Sequence, residues 1–203
     1  MSKKVLLFII LAMLLVIGYQ YFNRKSAKNV ASNQPISLKK HADAFNQSIN
    51  EIVNGYIALK DALVNADTTM VKSKSRDFIQ LLEKIDSAEL SKDTSLVFET
   101  IVSTINDMKS NADAMMQQSS IVEMRRDFSS LTEVMFPSFF YAIQYEGPTL
   151  YLQNCPMAID DSVPANWISN HPEIVNPYLG NHHPVYQSTM LHCGEIKDSI
   201  IAK

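Results

Sequence analysis

Apolar residues recur at spacings of three and four from residue 38 to residue 135, and that period confines the first two thirds of the chain to amphipathic helices. Leu38, His41, Phe45, Ile49, Ile52, Tyr56, Leu59 and Leu63 make one stripe. Val71, Phe78, Leu81, Leu82 and Ile85 make a second. Val97, Ile101, Ile105, Met108, Ala112 and Met115 make a third, and Met124, Phe128, Leu131 and Met135 a fourth. Cap residues separate them. Asn65-Ala66-Asp67 ends the first helix and caps the second, and Ser91 to Ser95 is a polar break. Ser120-Ile121-Val122-Glu123 fits a capping box, in which serine and glutamate satisfy each other's free backbone amides.

Four such helices with short connections predict a mainly α chain. An antiparallel four-helix bundle is expected over residues 38–145, with Pro137 kinking its last helix. Glu146-Gly147-Pro148 breaks the pattern. Beyond it, residues 146–203 hold six of the eight prolines, four of the five histidines and both cysteines. This part is expected to be a small irregular Cys/Met/His-containing module packed on the bundle, with one short strand running into Cys155. At the other end, Lys3 and Lys4 precede an apolar run from Val5 to Phe22. Residues 1–22 therefore read as an N-terminal hydrophobic helix, either a signal anchor or a signal peptide, and residues 23–37 as a linker. The expected location is the cell envelope, on the periplasmic side, anchored in the inner membrane by residues 5–22.

Several chemistries are excluded. A net charge of −3 with no basic stripe argues against nucleic acid. No Glu-x-x-His pair is present for a di-iron bundle, and no Cys-x-x-Cys for thiol oxidoreduction or haem attachment. No phosphate loop or Ser-His-Asp set is apparent, so no enzyme is expected. His41 reads as a packing or capping histidine, Met108, Met115, Met116 and Met124 as core, and Arg125-Arg126 as a solvated face.

What remains is a set of soft donors. Cys155 and Met157 are two apart. Met190, His192 and Cys193 lie close together, and a helical turn there would put Met190 and Cys193 on one face. Cysteine and methionine favour Cu(I), whereas a Cys/His set also suits Zn(II). The same two cysteines could instead close a Cys155–Cys193 disulfide. Trp167 is expected to anchor the module, and Asn176-Pro177-Tyr178-Leu179-Gly180 to form a turn with Gly180 at its special backbone angle. His182 and His183 sit in an expected exposed loop.

Cys155-Pro156-Met157-Ala158, Trp167-Ile168-Ser169, Glu173-Ile174 before Asn176-Pro177-Tyr178 and Gly180, and Met190-Leu191 before Cys193-Gly194 occur in that order. This series resembles the bacterial family called domain of unknown function 3347, over roughly residues 38–203. Such domains also occur joined to periplasmic adaptors of heavy-metal efflux pumps. The Cys-Pro-Met element is similar to that of heavy-metal-binding domains in copper transport. The resemblance implies copper(I) or silver handling and an efflux adaptor as partner, and the candidate ligands read from donor type and spacing are Cys155, Met157, Met190, His192 and Cys193. Those domains usually carry histidine where Ala158 stands, so His182, His183 or His192 would have to supply that donor.

Overall fold

The computed structural model describes residues 40–201. The apolar run and the linker lie outside the described residues. Among those described, no helix is long and apolar enough to cross a membrane. The helices are α1 (Asp43–Val64), α2 (Thr68–Glu83), α3 (Ser87–Leu90), α4 (Ser95–Gln117), α5 (Ile121–Val134) and the single turn α6 (Phe140–Ala142). α1 packs on α2, α2 on α4, and α4 on α5. Within the described residues, the residues of the four stripes are buried or packed against the core.

The caps work much as the sequence indicates. Asp67 accepts from Met70 N at 2.9 Å, and Thr94 from Val97 N at 3.4 Å. The capping box is corrected. Ser120 accepts from Val122 N at 3.2 Å, while Glu123 turns to Arg126 at 3.6 Å instead of reaching back. An adjacent arginine on the same helix competes for the carboxylate with a local backbone amide. Phe136 leaves the helical backbone (φ −112°, ψ 135°) ahead of Pro137, and this is the expected kink. His41 precedes α1 instead of lying on its stripe. Its buried ring sits 4.3 Å from Phe45 and between Glu89 (3.8 Å) and Asp93 (3.5 Å).

The C-terminal part is more regular than expected, although residues 170–194 are turns and loops. β1 (Leu150–Ile159), β2 (Val163–Ser169) and β3 (Glu195–Ile200) form an antiparallel sheet in the order β2-β1-β3. Asp160 and Asp161 carry the β1–β2 turn with φ of 51° and 56°, which aspartate tolerates better than most residues. The alternation was hidden for three different reasons. β1 is buried on parts of both faces, β2 has a proline at its second position that an edge strand accepts, and β3 is mostly exposed.

Buried polar bonds fix the sheet on the helices. Ile168 N donates to Tyr56 Oη at 3.1 Å, Tyr56 Oη bonds Thr132 Oγ1 at 2.6 Å, and Thr132 donates on to Phe128 O at 3.0 Å. The Tyr56 ring stacks on Phe128 at 5.0 Å. Burial pushes the Tyr56 hydroxyl far above the usual tyrosine range, so it stays protonated and can donate. One continuous apolar core results, running from Phe45 to Ile200.

Candidate functional site

Cys155 lies on the central strand, opposite Ala165, and two residues along from Gln153, which faces Trp167. Pairing and the two-residue period place Cys155, Gln153, Ala165 and Trp167 on one face of the sheet. Cys155 and Trp167 are fully buried. Gln153 is buried too, and its Nε2 faces the carbonyls of His171, Pro172 and Glu173 at 3.0–3.3 Å. One strand residue thereby positions the loop that leaves β2.

Asn176 organises the rest. Its Oδ1 accepts from Tyr178 N (2.8 Å) and Leu179 N (3.0 Å), which closes a turn on its own side chain. Its Nδ2 donates to Cys193 O at 2.8 Å, and its backbone N to Leu191 O at 2.8 Å. The turn containing Pro177, Tyr178 and Gly180 is therefore bonded directly to the turn bearing Cys193. That second turn is closed by Cys193 N to Met190 O at 3.0 Å and Leu191 N to Ser188 O at 3.1 Å. Gly194 follows at φ 147°, where a Cβ would lie 2.8 Å from both Asn154 O and the Trp167 ring. Only glycine lets the chain pass this close to β1.

The result is that residues 38 apart in sequence meet. Burial pushes the Cys193 thiol up to about 12, and the hydrogen bond and charge of the neighbouring Cys155 thiol push it the same way. Both cysteines are free thiols. Cys193 is partly exposed, and Met157 and Met190 are half-buried against the same core.

The histidines sit apart from this pair. His192 is exposed and its Nδ1 bonds Ile174 O at 2.7 Å. His182 is exposed, as expected. His183 is half-buried, stacks on Tyr186 at 4.8 Å, and accepts from Val185 N and Tyr186 N at 3.3 Å each. Among the described residues no three His, Cys, Asp or Glu side chains group closely enough to hold a metal ion. Two thiols, with thioethers as further donors, are what the fold offers.

Trp167 and Tyr178 divide the anchoring role assigned above to Trp167 alone. Trp167 meets Tyr178 edge-on at 6.1 Å, and Tyr178 reaches Phe128 of α5 at 6.0 Å. Arg125 is a correction. It is buried rather than solvated, with Nε on Pro177 O at 2.9 Å and Nη2 on Leu63 O at 3.1 Å. Gly180, at φ 59°, fits because a Cβ would come within 2.4 Å of Val64 O and 3.0 Å of that guanidinium. Sequence reasoning gave Asn176 no role of its own, although an asparagine two residues before a turn amide is a recognisable signal.

The family model described as protein of unknown function (DUF3347) matches residues 52–140. The match supports the resemblance to that family over this segment. The DUF3347 match runs from within α1 to the start of α6, so the cysteine pair lies beyond it. No curated protein and no solved structure matches the chain.

Proposed function

We propose that this protein binds a soft monovalent metal ion, Cu(I) or Ag(I), in the cell envelope and hands it to an efflux system. The observation that carries this reading is the meeting of the Cys155 and Cys193 thiols, one buried in a strand and one on a partly exposed turn. Two thiolates suit Cu(I) and Ag(I), which accept few, soft ligands. Zn(II) asks for four ligands, usually including histidine or carboxylate beside so few thiols, and the donor set fits it poorly. Met157 and Met190 are the proposed thioether partners. His192 could join only through Nε2, its Nδ1 being held by Ile174 O.

Binding replaces the thiol protons: each Cys–SH loses H⁺ as its sulfur bonds the metal. Cys193, the more accessible sulfur, is the proposed first point of exchange with an outside thiol or thioether. The role is carriage, not catalysis. The same reading takes the four long helices as an antiparallel four-helix bundle that supports the sheet. It takes residues 5–22 as the inner-membrane anchor and a periplasmic efflux adaptor as the recipient, as the sequence resemblance implies.

The test is an anaerobic Cu(I) titration of the reduced protein, with a free-thiol count on the same sample. Two free thiols and one-to-one binding that disappears in Cys155→Ser/Cys193→Ser are expected. Undiminished Cu(I) binding by that double variant would sink the proposal. The second reading, a Cys155–Cys193 disulfide in a metal-free interaction module, rests on the same sulfur contact. No free thiols, and no binding after reduction, would favour it.

A further inference from the structure

The start of α1 carries a second chemistry, apart from the sulfurs. Among the four long helices described, α2, α4 and α5 begin on side-chain caps, Asp67, Thr94 and Ser120, whereas α1 begins at Ala42 with none. The groups that hold this end come from elsewhere in the chain. Glu89 Oε1 accepts from Ala42 N at 3.1 Å, 47 residues away. The His41 ring is wedged between acids: Nδ1 lies 3.8 Å from Glu89 Oε1, and Nε2 lies 3.5 Å from Asp93 Oδ2. The side chains of His41, Glu89 and Asp93 are 2%, 9% and 1% exposed, so solvent screens their charges little. The two carboxylates meet opposite nitrogens of the ring, so the three groups do not converge on one metal ion.

The protonation state of the ring decides whether this arrangement is complete. A neutral imidazole has one N–H and turns a lone pair toward one of the two carboxylates, whereas an imidazolium offers a donor to each. The other charges nearby leave that choice to the ring. Lys92 pairs with the second oxygen of Glu89. Lys92 foremost, then the Ala42 N–H, hold the Glu89 carboxyl below the usual carboxylate range, so it faces the ring as an anion at neutral pH. Along the chain, Lys40 pairs with Glu146 at 3.4 Å, and Asp43 is exposed. The positive end of α1 opposes a charged ring, but it amounts to about half a charge, against two whole ones at 3.5 and 3.8 Å.

We propose that His41 is a pH-operated latch on the entry to α1. With the ring protonated, His41 ties residues 40–46 to Glu89 and Asp93 at the corner between α3 and α4. With the proton lost, one buried carboxylate faces a lone pair, and the first turn of α1, which has no cap of its own, opens more readily. The entry is firm on the acid side of the ring's titration and frays on the alkaline side. The latch is independent of the cysteine pair.

Backbone amide exchange of the full chain, read by NMR as protection factors at about pH 5.5 and about pH 8, tests the latch. The reporters are the Phe45 and Asn46 amides, which bond Ala42 O at 2.9 and 3.1 Å, and the Phe128 amide within α5 is the reference. Phe45 and Asn46 should lose about tenfold in protection across that range, in step with the titration of the His41 ring nitrogens, while Phe128 keeps its own. His41→Gln, which cannot titrate, should be equally protected at both pH values. Asp93→Asn, which keeps the ring but removes one of its two anions, should shrink the change. Cys155→Ser/Cys193→Ser should show the parent's full change. Protection that ignores pH in the parent, that changes out of step with the His41 ring, or that changes as much in His41→Gln would each overturn the proposal.

Discussion

In the proposed metal-binding role, Cys193 is the residue that links acidity to binding. Its thiol is held up to about 12 by burial and by the Cys155 sulfur, so at neutral pH it carries a proton. A metal must displace that proton. Below this pKa the apparent affinity for Cu(I) therefore rises with pH, by about tenfold per pH unit for each proton released. A competition titration with a Cu(I) chelator at several pH values measures the slope. A pH-independent affinity would mean that Cys193 is not a ligand. The same shift works against the fold at high pH. The unfolded chain loses the Cys193 proton near its ordinary value of 9.0 while the folded chain keeps it to about 12, so stability falls with pH across that window.

One buried hydroxyl bonds the sheet to two helices at once. Tyr56 Oη stands between Ile168 N of β2 and Thr132 of α5, all of it buried. Tyr56→Phe leaves the Ile168 N–H without its acceptor and is expected to cost about 1–3 kcal/mol in urea unfolding. Tyr141→Phe, at an exposed ring, should stay within about 0.5 kcal/mol. Which elements could be read from the sequence follows from what each one packs against. The helices were legible because each presents one buried stripe, and residues such as Phe45 and Met108 report that stripe directly. β2 and β3 were not, since Pro164, Asn166, Lys197 and Asp198 say nothing of a strand until β1 lies beside them. The soft donors were legible by type, and the turn near Met190 by spacing. The inward face of Arg125 was not, because the carbonyls of Leu63 and Pro177 converge on it only in three dimensions.

In the whole molecule the cysteine pair ties the sheet's central strand to the turn ahead of its last strand, and oxidation state decides what kind of tie forms. A disulfide would close a loop of about 39 residues, adding about 3–4 kcal/mol in the chain-entropy picture. A bound metal would instead stabilise by mass action, about 2.7 kcal/mol at a free concentration of about 100 times Kd. The two exclude one another, since a sulfur in a disulfide has no thiolate to offer. Thermal unfolding of the full chain therefore separates the readings. If the protein carries metal, Ag(I) raises the midpoint of the reduced form, prior oxidation abolishes the response, and Cys155→Ser/Cys193→Ser responds to neither treatment. If the pair is a staple, the oxidised form is the more stable and the reduced form ignores Ag(I). A reduced protein that Ag(I) stabilises, and that oxidation also stabilises, would be a redox-gated carrier, in which the disulfide releases the metal by consuming both of its anchoring sulfurs.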